Sequence, residues 1–115
     1  MASGKALDIA KAFAHVCVDK EAEDVKVLNV SRLTTIADYF VIATVPTDVQ
    51  LKVIIEEIET LSKKNKWPLF HVEGDEILWW TLIDADRVIV HLFSPEARNF
   101  YRIERIWIDA KEEKF

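Results

Sequence analysis

The sequence predicts an α+β domain in which helices flank a mixed sheet of about five strands, in the order α-β-β-α-β-β-β-α. Apolar residues recur at helical spacing in three segments and alternate or cluster, as in strands, in five others. Short turns join some strands and a helix crosses between others, which calls for antiparallel and parallel neighbours in one sheet. With 115 residues, half of them hydrophobic, and no linker-like stretch, the chain 1–115 is predicted to be a single domain.

The first half of the chain predicts two helices and two strands. The segment after Gly4 carries an apolar stripe at spacings of three and four, whereas the run DYFVIAT is apolar, β-branched and aromatic throughout. Thr47-x-x-Gln50 has the form of a capping box ahead of a second apolar stripe, and Trp67-Pro68 stops that helix. The predicted elements are a helix over 4–18, an outer strand over 25–30, a central strand over 38–44 and a helix behind Thr47.

The second half predicts three strands and a helix. Strand-like runs span 69–73, 77–84 and 87–93, and only the turn Ala85-Asp86 separates the last two, which predicts a hairpin. Ser94-Pro95-Glu96 combines a cap, a proline at the first helical position and an acid in the first turn. The last helix is therefore expected to begin there.

Composition restricts the class of partner and the compartment. With a net charge of −5 and a pI near 5.2, the chain lacks the basic surface that is usual in proteins that bind phosphate backbones. If the protein acts near RNA, it is therefore expected to bind a protein there and to make little direct contact with nucleic acid. No apolar run approaches a membrane span and no signal-peptide core follows the N-terminus, which predicts a cytoplasmic protein without membrane contact. The lone Cys17 is expected to be a buried apolar residue rather than a reactive thiol.

The nearest signature of an enzyme is Asp84-x-Asp86, two carboxylates at the spacing with which nucleotidyltransferases hold magnesium at a strand end. The pair is incomplete, because the loop Val45-Pro46-Thr47 has no glycine with which to cradle a triphosphate. A hairpin turn explains the same acids, since Asp tolerates turn conformations. A divergent nucleotidyltransferase that uses Asp84 and Asp86 stays as an alternative.

The histidines predict no metal site. His15, His71 and His91 lie far apart in the sequence and match no metal-ligand spacing, although His71 and Glu73 would share one face of a strand. We expect structural histidines, no cofactor and no enzymatic activity.

Two adjacent tryptophans point to a binding surface. Trp79 and Trp80 follow each other on a predicted strand and must lie on opposite faces of the sheet, so only one can enter a helix-covered core. The other would lie on an apolar patch that a partner covers. A self-associating module, in which that patch is a dimer interface, is a second alternative.

Four blocks together resemble the ribosomal silencing factor (Iojap-like) family over most of the chain. Each block also fits ordinary strand or helix patterning, but all four occur in the family's order. They are Ile36 to Thr44 (IADYFVIAT), Glu73-Gly74 followed by Trp80 and Asp84, Val88 to Phe93 (VIVHLF), and Glu96-x-Arg98-x-x-Tyr101-x-x-Glu104-x-x-Trp107.

The resemblance implies a protein that binds the large ribosomal subunit by docking on large-subunit ribosomal protein fourteen. Bound there, such a protein blocks association with the small subunit and represses translation. The family's fold resembles a nucleotidyltransferase-like core without the catalytic residues, and its members form homodimers in some settings.

The same resemblance assigns a partner-binding surface. The hairpin and sheet face are expected to dock on the ribosomal protein, with two residues of the last helix as flank contacts. The docking residues are Trp80, Leu82, Asp84 and Ala85, and the flank contacts are Arg98 and Tyr101. The chain departs from the family pattern at Val45-Pro46 and at Ala85-Asp86, where the family has a glycine, and both positions lie near the presumed docking edge.

Overall fold

The computed structural model describes residues 4–74, 80–101, 105 and 107–115, and within this part of the chain it contains three helices and six strands. The helices are α1 (Gly4–Asp19), α2 (Asp48–Asn65) and α3 (Pro95–Tyr101). The strands are β1 (Glu23–Asn29), β2 (Tyr39–Thr44), β3 (His71–Glu73), β4 (Trp80–Ala85), β5 (Val88–Phe93) and β6 (Lys111–Glu113). None of the helices in the described ranges combines the length and the apolar character needed to span a bilayer.

The strands form one mixed sheet in the order β3-β4-β5-β2-β1-β6. The central strands β2 and β5 run parallel, with Tyr39 opposite Val88 and Thr44 opposite Phe93, and every other neighbouring pair is antiparallel. All residues of β2 and β5 are buried, as expected for strands that are covered on both faces. The predicted mixed α+β sheet is confirmed, with β6 as an additional strand.

One face of the sheet packs against α1 and α2, and we call it the α1–α2 face. Phe13 of α1 and Ile54 and Ile58 of α2 are fully buried in one cluster with Val41 and Val90 of the sheet. The capping box predicted for α2 is present, since the Thr47 hydroxyl accepts a hydrogen bond from the Gln50 N–H at 3.2 Å. This face is therefore the larger part of the core.

The opposite face, which we call the α3 face, holds a second and smaller core. Ala97 of α3 packs there with Phe40 and Phe93, and Phe40 meets Trp107 edge-on with ring centroids 5.2 Å apart. The Ser94 side chain caps α3 by accepting a hydrogen bond from the Ala97 N–H at 3.0 Å, as the sequence predicts. Helix α3 and the segment around Trp107 thus cover the α3 face over β5, β2 and β1.

Candidate functional site

Strand β4 places three predicted docking residues on one face. Burial alternates along the strand, so Thr81 and Ile83 are buried, while Trp80 is 36% exposed and Leu82 and Asp84 are half-buried. The last three residues lie on the α3 face, beyond the part that α3 covers. We call Trp80, Leu82 and Asp84 the β4 surface.

Edge strand β3 gives the β4 surface a charged border. His71 lies opposite Asp84 and Glu73 opposite Leu82, so both β3 side chains share the face of the β4 surface. His71 Nε2 and Glu73 Oε1 are 3.1 Å apart, and both side chains are exposed. The sequence predicted that this pair shares a face. An apolar centre with polar neighbours is the usual arrangement of a protein interface.

The indole of Trp80 contacts two residues of the neighbouring strand β5. Its Nε1 donates a hydrogen bond to His91 Nδ1 at 3.2 Å, and its ring lies 5.1 Å from that of Phe93. His91 is only 5% exposed, and burial lowers its pKa to about 4, so the imidazole is neutral at physiological pH. His91 is a candidate functional residue that its sequence pattern alone does not identify, although a single histidine within the otherwise apolar run VIVHLF is a signal.

The two acids of the β4–β5 hairpin serve the turn. Asp86 has a φ of 64°, in the left-handed region, and its N–H donates to the Asp84 carboxylate at 3.2 Å. This geometry is the one that the turn interpretation predicts. Within the described ranges, no three side chains of the His, Cys, Asp and Glu types lie close enough together to hold a metal ion.

Ala85 does not contribute its side chain to the β4 surface. It is 1% exposed and packs on the α1–α2 face, in the cluster that also contains Ile83 and Val88. The reason is the two-residue period of a strand, which places positions 80 and 85 on opposite faces. The Ala85 side chain is therefore not part of the β4 surface, and a contact of the hairpin with the partner at Ala85 stays a prediction.

Arg98, which was predicted as a flank contact, is a buried residue, and its part in docking stays a prediction. It is 7% exposed, and its guanidinium donates to the Thr44 hydroxyl and to the carbonyl and carboxylate oxygens of Asp24, each at 3.0 Å. Asp24 lies in a bulge of β1 and has a φ of 50°. This backbone conformation directs its carbonyl toward the Arg98 guanidinium. Arg98 therefore ties α3 to β1 and β2.

Two other predicted features are only partly described. Tyr101 is the last residue of α3, and its side chain lies outside the described part of the chain. Trp79 also lies outside the described residues, so the assignment of the two tryptophans to opposite faces stays a prediction for Trp79. Val45 is fully buried and its N–H donates to the Phe93 carbonyl at 2.7 Å. A valine there continues the central pairing of β2 with β5.

Comparison with known proteins identifies the family. The family model described as "Ribosomal silencing factor during starvation" matches residues 3–115. The ribosomal silencing factor RsfS of Bacillus subtilis is 35% identical over 102 residues, which cover 89% of this chain and 86% of that protein. The chloroplastic protein Iojap of Arabidopsis thaliana is 33% identical over 109 residues, which cover 94% of this chain and 45% of that longer protein.

Solved structures share the fold. A protein from Chromobacterium violaceum superimposes with a TM-score of 0.81 at 26% identity, covering 95% of this chain and 90% of its own. A protein from Bacillus halodurans gives a TM-score of 0.78 at 26% identity, covering 98% of this chain and all of its own. The family match, the similar relatives and the fold agree, and the chain belongs to the ribosomal silencing factor family.

Proposed function

We propose that this chain is a ribosome-associated silencing factor that binds the large ribosomal subunit and keeps the small subunit from joining it, which represses translation. The Bacillus subtilis relative is a ribosomal silencing factor, and the family match extends over nearly the whole chain. The observation that carries the proposal is Trp80, a large aromatic side chain that is 36% exposed on β4, the strand next to the edge strand β3. Interface energy is commonly concentrated in such anchors.

The proposed partner is large-subunit ribosomal protein fourteen, docked on the β4 surface. Trp80 and Leu82 offer an apolar centre, and Asp84 and Glu73 place carboxylates at its border, which suits a partner of basic character. The net charge of −5 argues for protein contact rather than broad contact with RNA phosphates. Cytoplasmic ribosomes are the proposed site of action.

The proposed mechanism is steric and needs no chemical step. A footprint of about 800 Å² on each partner is available to a domain of this size and would occupy space that the small subunit needs. In this proposal the fold resembles a nucleotidyltransferase-like core that has lost its catalytic residues. The turn geometry of Asp84 and Asp86 supports it, because the Asp84 carboxylate accepts the Asp86 N–H.

Co-sedimentation with separated ribosomal subunits tests the proposal. The parent protein should pellet with large subunits and not with small ones, and added protein should lower the yield of joined ribosomes. Trp80→Glu should weaken large-subunit binding at least ~30-fold, because truncating a central anchor commonly costs about 2 kcal/mol or more and a carboxylate adds a desolvation penalty. Val49→Glu is the matched control, since Val49 is 73% exposed in the first turn of α2, away from the β4 surface.

The outcomes separate the alternatives. Equal binding to both subunits would contradict the large-subunit assignment. If Trp80→Glu folds and binds as tightly as Val49→Glu, the β4 surface is not the docking site. Self-association is the second candidate, because β3 is an edge strand of exposed residues beside the β4 surface and such edges can pair with another copy. A stable dimer that ignores ribosomes in analytical ultracentrifugation would favour it.

A further inference from the structure

Trp80 and His91 occupy a diagonal position across the β4–β5 ladder. Trp80 lies opposite Phe93 and Leu82 lies opposite His91, so the indole must lean along the strand to reach the imidazole. The Trp80 and His91 rings are 5.9 Å apart and tilted by 41°, and the Nε1 to Nδ1 distance is 3.2 Å. The contact therefore fixes both the depth and the direction of the half-exposed indole.

The hydrogen bond fixes the protonation state of His91. An indole N–H can only donate, so Nδ1 must accept, and the single proton of the neutral ring is on Nε2. Burial lowers the pKa of His91 to about 4, which keeps the acceptor in place across the physiological range. The imidazole is thus a constant acceptor for Trp80.

Nothing else in the described structure explains a polar residue at position 91. Nε2 is buried and has no hydrogen-bond partner among the described residues. The ring neighbours of His91 apart from Trp80 are Phe40, edge-on at 4.7 Å, and Phe93, stacked at 6.2 Å. A buried donor without a partner destabilises the protein, and an apolar side chain in the same space would avoid that penalty. The hydrogen bond that His91 accepts from Trp80 is therefore the interaction that accounts for a histidine at this position.

We propose that His91 is a positioning residue for docking: it holds the Trp80 indole in the orientation in which it enters the partner. This inference rests on the proposed docking function. An anchor that is already ordered loses less conformational freedom when it binds, so the benefit appears in affinity rather than in the stability of the free protein.

The first measurement is made on the free protein and does not depend on the ribosome. In His91→Leu, which removes the acceptor, the indole N–H of Trp80 should exchange with solvent about 3- to 10-fold faster than in the parent, as the loss of one hydrogen bond allows. The signal is followed by NMR and assigned with Trp80→Phe. His91→Asn carries an oxygen near the position of Nδ1 and should restore slow exchange in part.

The second measurement is affinity for separated large subunits. His91→Leu should bind about 3- to 10-fold more weakly, the range expected for ordering one side chain on binding. His91→Asn should recover part of that loss. In a Trp80→Phe background, His91→Leu should cause no further loss, since the residue acts through the indole. Ile83→Val is the matched control, because Ile83 is buried on the opposite face of β4.

The results distinguish the two proposals. If the indole exchange and the affinity of His91→Leu both equal those of the parent, His91 does not position Trp80. If His91→Leu weakens binding equally with and without Trp80, the residue acts elsewhere and the inference is wrong. Should the parent itself fail to bind large subunits, the docking function fails and the role in docking fails with it. The exchange measurement would still decide whether His91 orders the indole.

Discussion

Replacing Arg98 by methionine separates structural support from partner contact. Methionine keeps an unbranched apolar stem in the buried space and removes the guanidinium that bonds to Thr44 and Asp24. Net contributions of hydrogen bonds to a charged group are ~1.5 to 3 kcal/mol each, but three bonds on one guanidinium are not additive. The Asp24 carboxylate is 57% exposed and keeps its hydration, so the ion pair itself contributes little.

From these terms we expect Arg98→Met to lower the free energy of unfolding by about 2 to 3 kcal/mol. For a chain of this length that corresponds to a melting temperature about 8 to 12 °C lower. Urea titrations followed by circular dichroism measure the change directly. Thr44→Val, which removes one acceptor and keeps the shape of the side chain, should cost about 1 kcal/mol.

The binding measurement decides between the two roles of Arg98. At a temperature where the variant is fully folded, Arg98→Met should retain most of the parent's affinity for large subunits, because the buried guanidinium is not part of the β4 surface. A variant with the parent's urea midpoint and a large loss of binding would refute this reasoning and restore Arg98 as a flank contact.

Two predictions follow from buried titratable groups. Because the pKa of His91 is about 4 in the folded protein and near 6.5 when unfolded, the unfolded chain binds more protons between these values, and stability should fall as the pH drops through that window. In urea titrations, the loss of unfolding free energy should approach about 3 kcal/mol near pH 4. His91→Leu should lack this loss. An identical pH profile in the parent and in His91→Leu would contradict the assignment of the effect to His91. Burial raises the pKa of Cys17 to about 12. Iodoacetamide should therefore modify Cys17 only after unfolding, and rapid modification of the native protein would show that the thiol is accessible.

The sequence predicts the elements whose residues carry a local signal. The capped starts of α2 and α3 and the buried strands β2 and β5 agree with their patterns. Strand β6 was missed because Lys111–Glu113 has no apolar alternation, and it is a strand only through its pairing with β1. Likewise, β1 begins at Glu23 rather than at Val25, since its first part contains a bulge.

The docking residues divide in the same way. Alternation within β4 groups Trp80, Leu82 and Asp84 on one face, and the same rule places the Ala85 side chain on the other face. The contacts of Arg98 with Thr44 and Asp24, and that of Trp80 with His91, depend on how distant segments meet. The register of β4 on β5 and the packing of α3 determine these contacts, and neither can be derived from local periodicity.

The parallel pairing of β2 with β5 also constrains how the chain folds. Residues 39–44 pair with β1 on one edge and with residues 88–93 on the other, so the centre of the sheet cannot close before most of the chain is available. During synthesis, the edge of β2 that pairs with β5 therefore stays unpaired until β5 has been made. In that interval it can pair with other chains. Pairing with β5 protects this edge of β2, so the sheet is completed late in the folding of each newly made molecule.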